Sequence, residues 1–301
     1  MLVHWDDVAR ERFEWEPETA ATWQDLGRAA GTVGVGLRRM EVDPGKQSVP
    51  AHRHMAEEEI VFVLGGGGAS WQDGRTCPIR AGDCIVHVAD REAHTLVGGD
   101  DGLDVLVFGT RVATEFSYLP RTGRAHADGL WVEVAGFGSR PAERIDETAS
   151  AGERPPNIVH LDDAEAQEWE EGDGGGFVRA LGASAGSRRT GLNHETVPPG
   201  KLNTVPHCHS AEEEIFVVLD GEGTLLLGDG EHAVRRGHVV ARPPGTGVAH
   251  AFRAGEQGLT LLSYGTREPT DIAYYPRSGV VALRGVGVLG RLEPVAPGDV
   301  R

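Results

Sequence analysis

The chain of 301 residues has little positive charge, few aromatic residues and no long apolar run. Its only lysines are Lys46 and Lys201, and 46 acidic residues against 29 basic ones give a formal net charge of −17. This excess of negative charge repels phosphate backbones and anionic lipid surfaces, so we expect neither nucleic acid nor a membrane as a partner. No apolar stretch approaches the roughly 18 residues that a membrane-spanning helix needs.

Cysteine is also scarce, and the three that occur do not suggest a secreted protein. Cys77, Cys84 and Cys208 have no regular spacing, so they do not form a disulfide framework. The segment from Met1 to Asp7 has neither the basic nor the apolar region of a secretory signal. We therefore expect a cytoplasmic protein. The sequence leaves open whether it forms a homodimer.

The most informative feature that is present is an internal repeat with an offset of 155 or 156 residues. Three segments of the first half recur in the same order in the second half. They are Pro44–Lys46, His52–Gly66 and Gly102–Arg111, which match Pro199–Lys201, His207–Gly221 and Gly258–Arg267. A repeat of this length predicts two domains built alike, 1–138 and 157–301, joined by a polar linker at 139–156 that contains Pro and Gly.

Within each half the local pattern is that of β-strands. Ile60–Leu64 and Ile215–Leu219 are short runs of Val, Ile, Leu and Phe bounded by glycine, and Asp73-Gly74 is typical of a hairpin turn. Many short strands predict an all-β fold with a barrel or sandwich in each half. Few helices are expected, and the candidates are Glu11–Arg28 and Ala164–Glu171.

The residues that carry chemistry lie at the centre of each repeat. In a strand, residues i and i+2 point to the same face, so His207 and His209 project together and Cys208 points away. Glu214 follows at the start of the next strand-like run, and His250 lies far enough downstream to complete a cluster from a distant strand. Cys208 is therefore interpreted as a packed thiol rather than a ligand.

The first half repeats this set of ligand types. Its members are His52, His54, Glu59 and His94. Three imidazoles and one carboxylate suit a divalent first-row metal, namely Fe, Mn, Ni, Co, Cu or Zn, and the sequence does not decide among them. Four protein ligands on an octahedral ion leave two positions for a substrate, so we expect up to one such ion in each barrel.

The same alternation predicts which side chains face the metal. Phe216 and Val218 share the face of Glu214, and Val61 and Val63 share the face of Glu59, which predicts a largely apolar pocket. His194 is a further candidate for the pocket of the second half.

Each ligand carboxylate belongs to a run of three glutamates. The register against Gly66 and Gly221 selects the last glutamate of each run as the ligand. The remaining four are expected to lie in a solvated loop: Glu57, Glu58, Glu212 and Glu213.

In these motifs the chain resembles the cupins, and because the motif occurs twice it resembles a bicupin. The first cupin motif is matched by Gly200, His207, His209, Glu214 and Gly221, and the second by Gly237, Pro243, Gly245 and His250. The first half matches the first motif at Gly45, His52, His54, Glu59 and Gly66, but Val88–Glu92 replaces the Pro-Pro-Gly segment before His94. The resemblance implies two tandem double-stranded β-helix (jelly-roll) barrels, each with a metal inside.

The resemblance leaves several functions open. Cupins include dioxygenases, decarboxylases, isomerases and proteins that only bind small ligands. Our first hypothesis is a metal-dependent oxidoreductase, a dioxygenase-like enzyme acting on a small oxygen-rich organic molecule. The alternatives are a metal-dependent isomerase or decarboxylase and a non-catalytic small-ligand binder. Oxalate-converting bicupins usually carry an aromatic residue between the two histidines, whereas Arg53 and Cys208 occupy that place here.

Overall fold

The computed structural model describes residues 1–15, 17–127, 129–134 and 154–293. It consists mostly of antiparallel strands, with two short helices, α1 (Leu26–Ala30) and α2 (Leu181–Ser184). Short 3₁₀ turns occur at Trp5–Asp7, Leu161–Asp163 and Arg284–Val286. The predicted all-β fold of two tandem double-stranded β-helix barrels is confirmed. No helix in the described ranges is long and apolar enough to cross a membrane.

The strands of the two halves follow one another in the same order. Those of the first half are β1 (Leu2–His4), β2 (Glu11–Trp15), β3 (Thr19–Asp25), β4 (Val35–Val42), β5 (Arg53–His54), β6 (Glu59–Gln72), β7 (Arg75–Arg80), β8 (Asp83–His87), β9 (His94–Thr110), β10 (Ser117–Leu119), β11 (Arg124–Ala127) and β12 (Leu130–Glu133). Those of the second half are β13 (Ile158–His160), β14 (Gln167–Glu171), β15 (Gly174–Arg179), β16 (Thr190–Val197), β17 (Cys208–His209), β18 (Glu214–Leu227), β19 (Gly230–Arg235), β20 (His238–Arg242), β21 (His250–Thr266), β22 (Ile272–Tyr275), β23 (Val280–Leu283) and β24 (Val288–Arg291).

Each barrel combines a large sheet with a small one. The large sheet of the second half runs β1-β20-β18-β21-β16-β15-β14, and the small sheet runs β17-β22-β23-β24. The first half repeats this with β13-β8-β6-β9-β4-β3-β2 and β12-β11-β10-β5. The long strand pairs β6–β9 and β18–β21 form the middle of each large sheet, and both change register where glycine produces a bulge.

The two halves exchange their first strands. Strand β1 pairs with β20 of the second half, with Leu2 opposite Val240, and β13 pairs with β8 of the first half, with Ile158 opposite Ile85. Each barrel is therefore completed by a strand from the other half. The division at 139–156 stays a prediction, and 139–153 lie outside the described residues.

The two predicted helices are wrong for most of their length. Glu11–Arg28 forms the hairpin of β2 and β3 and only then enters α1, and Ala164–Glu171 ends in strand β14. The reason is cross-strand packing of aromatic side chains, with the rings of Phe13 and Trp23 5.8 Å apart. Side chains that pack across strands in this way alternate with a period of two, and not with the 3.6-residue period of the predicted helix.

The alternation along the central strands places most of their apolar side chains in three of the four clusters that make up the core of the described structure. Val61 and Val63 lie in the core of the first barrel, and Phe216 and Val218 lie in that of the second. The intervening residues, such as Ile60 and Ile215, point outward and meet in a shared core between the two halves. Both faces of each central strand are therefore buried, which explains why the runs are apolar throughout.

Two of the glutamates expected in a solvated loop instead join the halves, so that prediction is wrong for them. Glu58 is 1% exposed, and its carboxylate accepts hydrogen bonds from the backbone N–H groups of Arg188 and Thr190 at 2.8 and 3.1 Å. Glu213 is 2% exposed and accepts from the N–H of Val33 at 2.7 Å and from that of Gly34. Each half thus inserts one carboxylate into a turn of the other.

The other two glutamates of this group are held within their own half. Glu212 is 3% exposed, accepts from the N–H of Glu268 at 3.1 Å and pairs with Arg284 at 2.7 Å. Glu57 is half-buried and accepts from the N–H of Val112 at 2.8 Å. The loop is polar because it supplies acceptors to backbone groups, not because water surrounds it.

Candidate metal centres

In the second half, three ligand candidates approach one another at the mouth of the barrel. Backbone hydrogen bonds hold His207 beside His250, and Glu214 begins the neighbouring strand β18. One ligand atom from each of these residues lies within 4.8 Å of the others. His250 Nε2 lies 3.1 Å from Glu214 Oε2, and His209 Nε2 lies 3.5 Å from the same oxygen. His209 therefore reaches Glu214 but is not part of the group within 4.8 Å, and its other ring nitrogen faces Glu212 and Asp271.

The first half has the same arrangement. The four ligand atoms of His52, His54, Glu59 and His94 lie within 4.8 Å of one another. The Nε2 atoms of His52 and His54 are 3.0 Å apart, and His94 Nε2 is 3.4 Å from Glu59 Oε1. The changed loop before His94 does not move this residue out of the cluster.

These clusters fit a divalent cation. The ring nitrogens His94 Nε2, His209 Nε2 and His250 Nε2 and the oxygen Glu214 Oε2 are buried without a hydrogen-bond partner in the described structure. Buried polar atoms rarely stay unpaired. Donor atoms about 2.1 Å from one octahedral ion lie about 3 Å apart when adjacent, close to the separations seen here. One cation at the centre of each cluster would provide these atoms with a partner.

The electrostatics of the clusters point the same way. Burial lowers the pKa of His207 to about 4, so its ring is neutral and keeps a lone pair for a metal at neutral pH. Burial opposes ionisation of Glu214, but His250 and the other imidazoles lower its pKa to about 2. In the first half, burial disfavours the imidazolium of His54, yet the carboxylates of Glu115 and Glu59 raise its pKa to about 10. The shifts of Glu214 and His54 have the same cause, an imidazole and a carboxylate held close together.

A carboxylate behind each cluster orients one ligand imidazole. The Nδ1–H of His209 donates to Asp271 Oδ2 at 2.7 Å, and that of His54 donates to Glu115 Oε1 at 3.0 Å. Each bond leaves Nε2 free to face the cluster, which is the usual arrangement behind a metal-ligating histidine. The sequence analysis missed both carboxylates. The signal was present, because Thr114-Glu115 and Thr270-Asp271 occupy equivalent places in the repeat.

We expect Asp271→Asn to weaken metal binding at the C-terminal centre by about 10- to 100-fold, because the amide is a poorer acceptor for His209 Nδ1–H. The measurement is chelator competition in a His94→Ala background, where only the C-terminal centre binds. Glu115→Gln in that background is the matched control and should leave this affinity unchanged. Equal affinities for both variants would contradict the role of Asp271.

A cavity of about 350 Å³ opens beside the C-terminal cluster. It is lined by His207, Glu214 and Phe216, and by amide, hydroxyl and carboxylate side chains that were not predicted. His194 does not line it. Its neighbours on β16, Asn193 and Glu195, do, and the alternation of the strand therefore directs His194 to the opposite face.

The predicted apolar residues deeper in the barrels pack as core. Val61, Val63 and Val218 are at most 1% exposed and contact other aliphatic side chains. Phe216 alone combines both roles, because it lines the cavity and packs 5.0 Å from the ring of Phe252. The C-terminal pocket is therefore more polar than the sequence suggested.

Glu195 is the main residue of this pocket that sequence analysis missed. It is 8% exposed on β16, and its carboxylate accepts from Asn203 Nδ2 at 2.9 Å and from Ser263 Oγ. Burial, with a smaller contribution from Glu214, raises the pKa of Glu195 to about 7. It can therefore hold or release a proton near neutral pH.

Comparison with known proteins agrees with this architecture. A search of curated proteins gives no match. Among solved structures, the oxalate decarboxylase of Lactobacillus farciminis in complex with formate is similar at 14% identity, over 88% of this chain and 86% of that one, with a TM-score of 0.60. A Bacillus subtilis oxalate decarboxylase studied for its Mn(II) centres is similar at 14% identity, over 91% and 79%, with a TM-score of 0.60. Identities this low show a shared fold alone.

The family comparison gives the same division of the chain. The family model described as a cupin domain matches residues 38–108 and again residues 193–263. Each match contains the His-x-His segment, the ligand glutamate and the distant histidine of one half. The chain is therefore a tandem cupin, with one cupin domain in each half.

Proposed function

We propose that this tandem cupin is a metal-dependent enzyme of the decarboxylase or isomerase type, acting on a small oxygen-rich molecule in its C-terminal half. The observation that carries this proposal is the cluster of His207, Glu214 and His250 beside a cavity of about 350 Å³. A cavity of this size suits a small molecule rather than a polymer. A divalent ion held by the cluster would act as a Lewis acid on a carbonyl oxygen of the bound molecule.

The residues around the cavity support a molecule with several oxygen atoms. Asn193, Asn203, Thr204 and Ser263 offer amide and hydroxyl groups, and the ring of Tyr275 stacks against His207 at 5.5 Å. These groups can bind and orient hydroxyl and carbonyl oxygens by hydrogen bonds.

The charge of the cavity restricts the substrate further. Glu171, Glu195 and Glu214 line it, and neither lysine nor arginine is among its lining residues in the described structure. A dianion would meet these carboxylates with only the divalent ion, and no cationic side chain, to offset them. We therefore favour a neutral or singly charged substrate and expect oxalate to be a poor one, although the similar structures include oxalate decarboxylases.

The dioxygenase first predicted from the sequence is the second candidate. It is favoured by the apolar side chains of Phe216 and Val178 in the cavity wall, since dioxygen is itself apolar. The decarboxylase or isomerase proposal has the additional support that decarboxylases are known on the same two-barrel fold.

The proposal predicts turnover without oxygen consumption. We expect Mn(II)-loaded protein to release CO2 from acetoacetate or to isomerise dihydroxyacetone, above the rate of metal-stripped protein and of the His250→Ala variant. Product formation is followed by mass spectrometry, together with an oxygen electrode. Consumption of one O2 per substrate would instead identify an oxygenase, and rapid turnover of oxalate would contradict the charge argument.

A further inference from the structure

We propose that Glu195 is the catalytic residue that exchanges a proton with the substrate in the C-terminal pocket, and this inference rests on the proposed function. Glu195 lies on the wall of the cavity that also contains His207 and Glu214. A molecule bound there would therefore lie within reach of both the ligand cluster and Glu195.

A chain of hydrogen bonds fixes the position of this carboxyl group. Asn203 Oδ1 accepts from the backbone N–H of Phe252 at 2.8 Å, so its Nδ2 is turned toward Glu195. Ser263 Oγ donates to Glu195 Oε1 and itself lies 3.5 Å from Asn193 Nδ2. Holding a buried carboxyl group in one rotamer in this way is what a proton-transfer residue requires.

The fold does not need a carboxylate at this position, because the first half does without one. The register of β4 against β9 places Met40 where β16 has Glu195, and Val107 where β21 has Ser263. Met40 is buried in the aliphatic core of the first barrel. A buried carboxyl group costs free energy that a methionine does not. Its presence in one barrel only therefore indicates a function specific to the C-terminal pocket.

Ser48 is the equivalent of Asn203 in the first half. Comparing the two shows which contact of Asn203 serves the fold and which serves Glu195. Ser48 Oγ accepts from the N–H of Leu96 at 3.2 Å, just as Asn203 Oδ1 accepts from Phe252. This backbone contact is common to both barrels. The second hydrogen bond, from Asn203 Nδ2 to Glu195, is made only in the barrel that has the carboxylate.

The step is a proton exchange at a carbon next to a carbonyl. The C–H bond breaks, its proton moves to the Glu195 carboxylate, and the electron pair of the bond moves onto the carbonyl oxygen. In the reverse direction Glu195–H returns the proton to the same carbon in exchange, or to the adjacent former carbonyl carbon in isomerisation. In decarboxylation the C–C bond to CO2 breaks, its electron pair stays with the substrate, and Glu195–H protonates the carbon that lost CO2. The pKa of Glu195, raised to about 7 mainly by burial, keeps both protonation states available at neutral pH. The other ionisable groups that line the cavity are Glu171, His207, Glu214 and Tyr275.

The test is hydrogen exchange rather than turnover. Mn(II)-loaded protein is incubated in D2O with dihydroxyacetone and with pyruvate, and deuterium at carbon is measured by mass spectrometry. We expect exchange by the wild type and a fall of about 100-fold or more in Glu195→Gln, at equal Mn content. Glu168→Gln is the matched control, because Glu168 is an exposed carboxylate on β14 outside the cavity lining.

A second variant guards against a folding defect. Glu195→Met combined with Ser263→Val reproduces the Met40 and Val107 pair of the first barrel, and we expect it to melt no lower than the wild type while exchange is lost. Exchange that persists in either variant, or is absent from the wild type, would overturn the inference. Exchange that depends on Glu195 without net turnover would refute the proposed function alone, and turnover unaffected by Glu195→Gln would refute this inference alone.

Discussion

Replacing His250 with alanine is expected to remove one of two bound metal ions and to leave the other in place. His250 contributes a buried Nε2 that has no hydrogen-bond partner in the described structure and lies 3.1 Å from Glu214 Oε2. Without this imidazole the C-terminal centre keeps two histidines and one carboxylate around a larger space. Metal content is measured by mass spectrometry on protein loaded with Mn(II) and passed through a desalting column.

The first half offers a matched control for this experiment. His94→Ala should remove the other ion, and the double variant should bind none. The two centres lie in separate barrels, each with its own orienting carboxylate, Asp271 or Glu115. Loss of both ions from either single variant would show that the sites depend on each other. Retention of two ions by His250→Ala would exclude the proposed ligand set.

Glu58→Ala is expected to lower the free energy of unfolding by about 3 kcal/mol, because its carboxylate binds the other half of the chain and not the cluster that contains Glu59. Its carboxylate accepts from Ser187 Oγ, from Thr190 Oγ1 and from backbone N–H groups of the turn before β16. Truncation leaves these buried donors of the other half unpaired. For a chain of this size the fall in Tm should be about 6 °C or more, measured by calorimetry.

Two further variants define what this result would mean. Glu213→Ala removes the equivalent contact in the opposite direction, from the second half to Val33 and Gly34, and should be destabilising as well. Glu222→Ala removes an exposed glutamate and should change stability by less than about 0.5 kcal/mol. A Tm for Glu58→Ala within 1 °C of the wild type would show that the halves are held by their apolar contact alone.

The apolar contact between the halves explains why these carboxylates have to be buried. Ile60, Ile215 and their neighbours meet in the shared core, with the rings of Phe108 and Tyr264 5.1 Å apart. This shared core brings the glutamates before each central strand against a turn of the other half. Water is excluded there from the backbone N–H groups of that turn. A carboxylate with several acceptor positions satisfies several N–H groups at once.

The residues that meet in the two clusters could be predicted from the sequence, because their relation is set by local geometry and by repetition. His207 and His209 share a face through the period of a strand, and the same spacing in the first half removes most of the ambiguity. The choice of Glu214 among three consecutive glutamates followed from its spacing to Gly221, which Glu59 and Gly66 repeat. Such features depend on neighbours along the chain, which the sequence displays directly.

What the tertiary structure decided is the partner of each buried polar group. Glu195 is a pocket residue because Ser263, 68 residues away, and Asn203 come to its side. Glu58 is a contact between halves because a turn about 130 residues away folds onto it. Nothing local distinguishes these carboxylates from solvated ones, since a glutamate is ordinary in either place.

The sequence by itself therefore determined that the chain is two copies of one strand-rich unit with a cluster of imidazoles and a carboxylate in each. Only the tertiary structure decided that the copies exchange their first strands, that Glu58 and Glu213 join them, and that one barrel places Glu195 beside its cluster where the other has Met40. The physical reason is that strand parity is a property of the backbone, whereas burial and hydrogen bonding depend on which distant segments come together.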